Sequence, residues 1–251
     1  MKIRSILLAL SVLVISVFNA AAQVKKSAAP VKKVAVPVKK TIVTAPPAKP
    51  TPFKETAGNT KVKMTTDMGV IIIRLYDSTP KHRDNFVKLV EQKFYDSLLF
   101  HRIIQGFMIQ GGDPLSKNAQ PGTMLGMGGG DMERIPAEFN KNIIHKKGAL
   151  CAARDGNPQK ASSACQFYIV QGNPTPEDQL KMMGMQKGYN YTDEQINTYK
   201  TIGGTPFLDM EYTVFGEVVS GLDVLDKIAA VQKDQSDRPL TDVRMKMELI
   251  K

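Results

Sequence analysis

Residues 100–114, FHRIIQGFMIQGGDP, constrain the fold more than any other stretch of this 251-residue chain. Residues 98–104 and 106–111 read as neighbouring strands turned at Gly106. Alternation along such strands puts Arg102, Met108 and Gln110 on one side. That side carries a charge that cannot be titrated away and a planar fork of donors suited to a carbonyl oxygen or an amide. Gln110 both donates and accepts, while Phe107 and Met108 supply an aromatic plate and an adaptable apolar filler on which a small ring can pack. No nucleophile or general base lies among these residues. Such a face can grip a peptide backbone. The same pattern also fits a buried hairpin whose arginine only pairs with a carboxylate.

The surrounding periodicities describe a mainly β domain with few helices. Residues 61–66 and 70–75 flank Asp67, Met68 and Gly69, a turn signal between strands. Thr79 and Pro80 open a helix with proline at its first position and with Phe86, Leu89, Val90 and Phe94 on one apolar face. A second helix follows Gly221, turning Val224, Leu225, Ile228 and Val231 inward. Near the end, Val243, Met245, Met247 and Leu249 alternate with Arg244, Lys246 and Glu248, the mark of a strand with one wet face. Two helices capping the open ends of a barrel would give every apolar stripe a partner and leave no free sheet edge.

Residues 100–113, FHRIIQGFMIQGGD, closely resemble the signature of the cyclophilins, peptidyl-prolyl cis-trans isomerases. Further segments match in that family's order: IPAEF at 135–139, GALCAAR at 148–154, QFYIV at 166–170 and FLDMEYTVFGEV at 207–218. The resemblance spans about residues 60–251 and is nearest the bacterial branch with an extra segment before the TPxLD stretch, here residues 173–203. It implies a closed eight-stranded antiparallel β-barrel capped by two α-helices. It also implies a groove for proline-containing unfolded or extended polypeptides.

Carried over by position, the resemblance makes Arg102, Phe107 and Gln110 the catalytic set, with Met108, Ala153, Arg154, Gln166, Tyr168, Phe207, Leu208 and Tyr212 binding substrate. Four positions depart from the pattern. Arg154 replaces an asparagine, Tyr168 a phenylalanine, Phe207 a tryptophan or histidine, and Tyr212 a histidine. The Phe207 change implies weak binding of cyclosporin, which prefers the tryptophan. The implied activity is isomerisation of Xaa-Pro bonds without covalent chemistry. The alternative is a non-catalytic, chaperone-like module that holds proline-containing segments in the same groove.

Other constellations point to less. The glycines at 126 and 128–130 lack the Gly-Lys-Ser/Thr ending of a phosphate loop and read as a flexible surface loop, with no nucleotide. His82, His101 and His145 lack metal-ligand spacing, so no metal and no cofactor is expected. Cys151 and Cys165 form an even pair whose bridging depends on a distance the sequence does not give. Within residues 173–203, Asp193 to Lys200 read as a short helix beside Met182, Met183 and Met185; a lid, a client-binding arm and a plain surface excursion all fit.

The chain before the domain is of another kind. Lys2 and Arg4 precede an apolar run and a small-residue cleavage site at Ala20, Ala21 and Ala22, the pattern of a secretory signal peptide over residues 1–22. Export to the periplasm, or secretion, follows, without stable membrane insertion once the signal is removed. Residues 23–57 are a Lys/Pro/Ala-rich linker in which Val-Lys-Lys recurs from positions 24, 31 and 38. Ten basic and no acidic residues precede Glu55, so the formal charge of +10 belongs entirely to these appendages and residues 55–251 are net neutral. The basic balance therefore describes these appendages and not the domain, and no nucleic-acid partner is expected. Weak contact of the linker with an anionic envelope surface and a solvated spacer both fit. Residues 58–251 are expected to fold as one monomeric domain.

Overall fold

The computed structural model describes residues 60–250. The expected signal peptide and linker lie outside them.

The first hairpin joins β1 (Lys61–Thr66) to β2 (Gly69–Leu75), with Val62, Met64, Ile71, Ile73 and Leu75 turned inward and fully buried. Helix α1 (Pro80–Glu91) follows, its proline in the first turn. Thr79 makes no side-chain cap. The orphan N–H groups of Lys81 and His82 instead donate to the Glu138 carboxylate at 3.1 and 3.0 Å, which places a negative charge at the positive end of the helix. Phe86, Leu89 and Val90 face the core, and Phe94 packs on it from beyond the last turn.

Strands β3 (Phe100–Ile104) and β4 (Met108–Gly111) form the second hairpin, followed by β5 (Ala149–Ala152) and β6 (Phe167–Val170). Next come α2 (Glu177–Lys187), α3 (Asp193–Thr201), β7 (Val214–Ser220), α4 (Leu222–Ala229) and β8 (Met245–Ile250). All strand pairs are antiparallel, in the order β3-β4-β6-β5-β7-β2-β1-β8. The two end strands meet at a short seam. There Ser97 and Phe100 donate backbone hydrogen bonds to Met245 and Val243, and Met245 donates to Leu98.

Inside the curled sheet, Phe86, Tyr95, Phe167 and Phe215 pack edge-on or tilted at centroid distances of 5.0 to 5.8 Å. A second apolar cluster lies on the opposite face of β4, β5 and β6, around Met108, Cys151, Tyr168 and Val170. That outer cluster carries the site.

Among the described residues four α-helices form rather than the expected two plus one short helix. Both α2 and α3 belong to residues 173–203, whose ends are brought together by a backbone bridge between Asn173 and Gly204. The segment has its own small core of Leu180, Tyr191, Ile196 and Tyr199, packed against Ile144. Cys151 and Cys165 are buried free thiols. No described helix is long and apolar enough to cross a membrane.

Candidate active site

Register sets the site's layout. Arg102 on β3 pairs with Gln110 on β4, Gln110 with Tyr168 on β6, and Tyr168 with Cys151 on β5. These residues form one row across four strands and point to one face. With neighbouring strands about 4.8 Å apart, Arg102 and Tyr168 stand roughly 10 Å from each other, the span of a short peptide.

Arg102 is 42% exposed, and its nearest carboxylate, Asp237, lies 3.9 Å from Nε, beyond hydrogen-bond reach. Asp237 itself pairs with Lys233. Among the described residues the guanidinium thus makes a loose ion pair with Asp237 and no side-chain hydrogen bond, which leaves its donors unspent. Beside it, Gln110 Nε2 donates to Gln166 Oε1 at 3.1 Å, and Gln166 Nε2 donates to the carbonyl oxygens of Gly126 and Gly128, both at 2.9 Å. This chain fixes both amides and leaves the Gln110 carbonyl oxygen to accept.

The apolar end combines exposed and backing surface. Phe107 sits in the β3–β4 turn with its ring 5.7 Å from that of Phe207, which is 51% exposed. Leu208 and Tyr212 pack partly buried against the outer cluster. Met108 is 2% and Tyr168 5% exposed, so both back the groove rather than line its rim. The Tyr168 hydroxyl lies 3.1 Å from His145 Nε2, and burial pushes its acidity well below that of a free phenol.

Arg154 is not a free cation at the rim. Its guanidinium lies 4.5 Å over the Tyr212 ring, and its Nε and Nη1 donate to the carbonyl oxygens of Glu211 and Asp155. Both backbone groups of Ala153 are engaged, N–H to Gln166 and C=O to Ser163.

Residues 126–130 form a surface loop, as expected, with Met127 82% exposed, and its glycines tie it to the domain beneath. The Gly126 N–H donates to buried Asp113, and Gln166 holds two of the loop's carbonyls. A Cβ at Gly128 would lie 2.0 Å from Asp113 Oδ1, and one at Gly129 2.3 Å from Cys165 Sγ, so close approach explains these glycines. The loop walls a cleft of about 200 Å³ adjoining Gln110, Ala153 and Gln166. The density of glycines without a phosphate motif was the signal for this close packing. His145 and Asp209, linked below to Tyr168, carry no such signal, because only the fold brings them together. Among the described residues, no group of three or more His, Cys, Asp or Glu could hold a metal ion.

The comparisons with known proteins agree with this geometry. Residues 61–248 match the family model for cyclophilin type peptidyl-prolyl cis-trans isomerases. A Staphylococcus saprophyticus protein, provisionally named a peptidyl-prolyl cis-trans isomerase, is 36% identical over 186 residues, covering 73% of this chain and 87% of its own length. A Staphylococcus aureus protein with the same provisional name is 35% identical over 189 residues, covering 74% and 89%. In fold, the chain is similar to a Cryptosporidium parvum cyclophilin type peptidyl-prolyl cis-trans isomerase at a TM-score of 0.58 and 22% identity, over 76% of this chain and 98% of that one. A second structure of that protein was determined in the presence of the dipeptide Ala-Pro, with a TM-score of 0.55 to this chain.

Proposed function

The chain belongs to the cyclophilin-type peptidyl-prolyl cis-trans isomerase family, and on that premise we propose that the groove beside Arg102 catalyses rotation about Xaa-Pro bonds. The observation that carries this reading is Arg102 itself, whose guanidinium makes no hydrogen bond among the described residues, in one row with Gln110 and the aromatic cluster.

The barrier to rotation is roughly 18–20 kcal/mol and comes from delocalisation of the nitrogen lone pair. No bond need be made to lower it. Arg102 donates toward the prolyl nitrogen as it pyramidalises, an interaction that strengthens only as delocalisation is lost and so favours the twisted state. Phe107, Leu208 and Tyr212, backed by Met108 and Tyr168, hold the ring while the preceding carbonyl swings. Gln110, fixed through Gln166, orients the substrate backbone. Shortening a step of about 100 s to about 10 ms requires roughly 5.4 kcal/mol, which a few aimed hydrogen bonds in a partly dry groove can supply.

The substrates are proline-containing unfolded or extended polypeptides, a reading supported by the Ala-Pro dipeptide used with the Cryptosporidium parvum protein. Residues 1–22 direct export, and the isomerase assists folding of exported proteins in the periplasm. The seam between residues 97–100 and 243–245 completes a closed barrel, a reading its three backbone hydrogen bonds support. Titration of an Ala-Pro peptide followed by NMR tests the groove. Shifts are expected at Arg102, Phe107, Gln110 and Tyr212 and not on α2; a response confined to α2 and α3 would remove the groove from the account.

A further inference from the structure

Three tyrosines of the 173–203 segment converge on a carboxylate outside it. Asp209 is 2% exposed, and its Oδ2 accepts the hydroxyls of Tyr199 at 2.6 Å, Tyr191 at 2.9 Å and Tyr189 at 3.4 Å. Its Oδ1 accepts the backbone N–H of His145 at 2.8 Å and lies 2.8 Å from His145 Nδ1. His145 is 1% exposed; its ring stacks on Tyr168 at an interplanar angle of 15°, and its Nε2 lies 3.1 Å from the Tyr168 hydroxyl. An unbroken line of hydrogen bonds thus runs from α3 to the floor of the groove.

With Asp209 as the carboxylate and His145 as the neutral imidazole, the donors and acceptors along that line fall into one order. An ionised carboxylate only accepts, so Asp209 takes the Nδ1 proton of His145, and the neutral imidazole then offers Nε2 as an acceptor. Tyr168 must donate to it, and its O–H is spent facing away from the substrate. A buried carboxylate survives ionised only when its oxygens are satisfied, and the segment supplies three of the donors. A second tie runs in parallel. Lys187, in the last turn of α2, donates to the carbonyl oxygens of Phe207 and Asp209, both at 2.7 Å. It holds the turn that carries Phe207 and Leu208.

We propose that residues 173–203 are a positioning element for the proline site: Tyr191 and Tyr199 hold Asp209, Asp209 sets the tautomer of His145, and His145 keeps the Tyr168 hydroxyl withdrawn from the groove. The inference rests on the reading of the groove given above. Its functional content is that a tyrosine serves as an apolar floor, because its polar end is occupied from behind. Breaking the line at its far end frees that hydroxyl to compete for polar groups beside the substrate. Binding weakens, while the Arg102 step is left alone.

The test is a double-mutant cycle in the full chain with Tyr199→Phe and Tyr168→Phe, read by kcat and KM on an Ala-Pro peptide and by thermal unfolding. Tyr199→Phe is expected to raise KM about fivefold, the coupling typical of residues in one hydrogen-bond network, with kcat near that of the wild type. In the Tyr168→Phe background the same substitution is expected to leave KM unchanged while lowering Tm as it does alone. An equal KM rise in both backgrounds, or none in a folded Tyr199→Phe protein, would overturn the proposal. Tyr191→Phe serves in the same cycle should Tyr199→Phe not fold. A separate readout is the 15N shift of the His145 ring, where the Nδ1–H tautomer is expected and the Nε2–H tautomer overturns the proposal whatever the activity. Absence of turnover in the wild type would count against the isomerase reading alone, and peptide Kd would then replace KM in the same cycle.

Discussion

Among the described residues neither ring nitrogen of His101 has a hydrogen-bond partner, although the residue is only 4% exposed. Burial dominates its titration and lowers the pKa from 6.5 to about 4; Asp113 opposes the shift, and Arg102 and Arg238 add to it. The unfolded chain therefore takes up a proton below pH 6.5 that the folded chain refuses until about pH 4. His101's contribution to stability is complete above pH 6.5 and is lost as pH falls through that window. His82, also lowered mainly by burial, adds slope of the same sign. Replacing His101 by Leu is expected to reduce the pH dependence of unfolding free energy between pH 6.5 and 4 by about one proton, ~1.4 kcal/mol per pH unit. Denaturant titrations at several pH values measure it, and an unchanged slope would contradict the assignment. In the groove, Gln166→Ala would strand the Gln110 amide and two loop carbonyls. The expected loss in kcat/KM is about tenfold, the scale of one unsatisfied polar group; an unchanged kcat/KM would show that Gln110 needs no orienting. Arg102, Met108 and Gln110 were legible in the sequence because strand alternation fixes their side, and Phe107 through the family resemblance. Their supports were not, since Gln166 reaches the loop, and His145 reaches Asp209, only across the folded sheet.

Gly172 and Gly204 meet at the neck of the α2–α3 segment. Gly172 has φ 61°, and a Cβ there would lie 2.5 Å from the Gly204 Cα and 2.6 Å from its carbonyl oxygen. Backbone cannot yield as a side-chain tip can. Gly172→Ala is expected to cost about 2–4 kcal/mol in chemical denaturation, from combined strain and overpacking, and to expose α2 and α3 to limited proteolysis. Stability within experimental error of the wild type would mean that the neck is pliable. The two helices differ in how they announce themselves. Thr192 accepts from the Gln195 N–H while the Gln195 side chain accepts from the Thr192 N–H, a capping box readable from the sequence of α3. Helix α2 buries only Leu180 and Gly184 and leaves Met182 and Met185 exposed, so it has no apolar stripe to read. Its glycine fits because a Cβ at Gly184 would lie 2.6 Å from the Tyr189 carbonyl oxygen. The hairpins, α1 and α4 were readable because each has one face on the main core.

For the molecule as a whole, the groove and the basic appendage are separable in charge, since residues 55–251 are net neutral. The chain from residue 23 and the chain from residue 58 are therefore expected to show equal kcat/KM on a short peptide. Salt-sensitive binding to anionic vesicles is expected only of the longer chain. A severalfold fall in peptide turnover on removing residues 23–57 would tie the linker to the site. The central claim remains rotation about the Xaa-Pro bond through Arg102. NMR exchange spectroscopy on an Ala-Pro peptide, with the wild type and Arg102→Ala at equal concentration, tests it most directly. Fast cis-trans exchange is expected with the wild type, falling about 100-fold or more in the variant, as for removal of one transition-state donor, while the peptide still binds. Equal exchange rates in the two proteins, or peptide binding without acceleration in the wild type, would contradict the account.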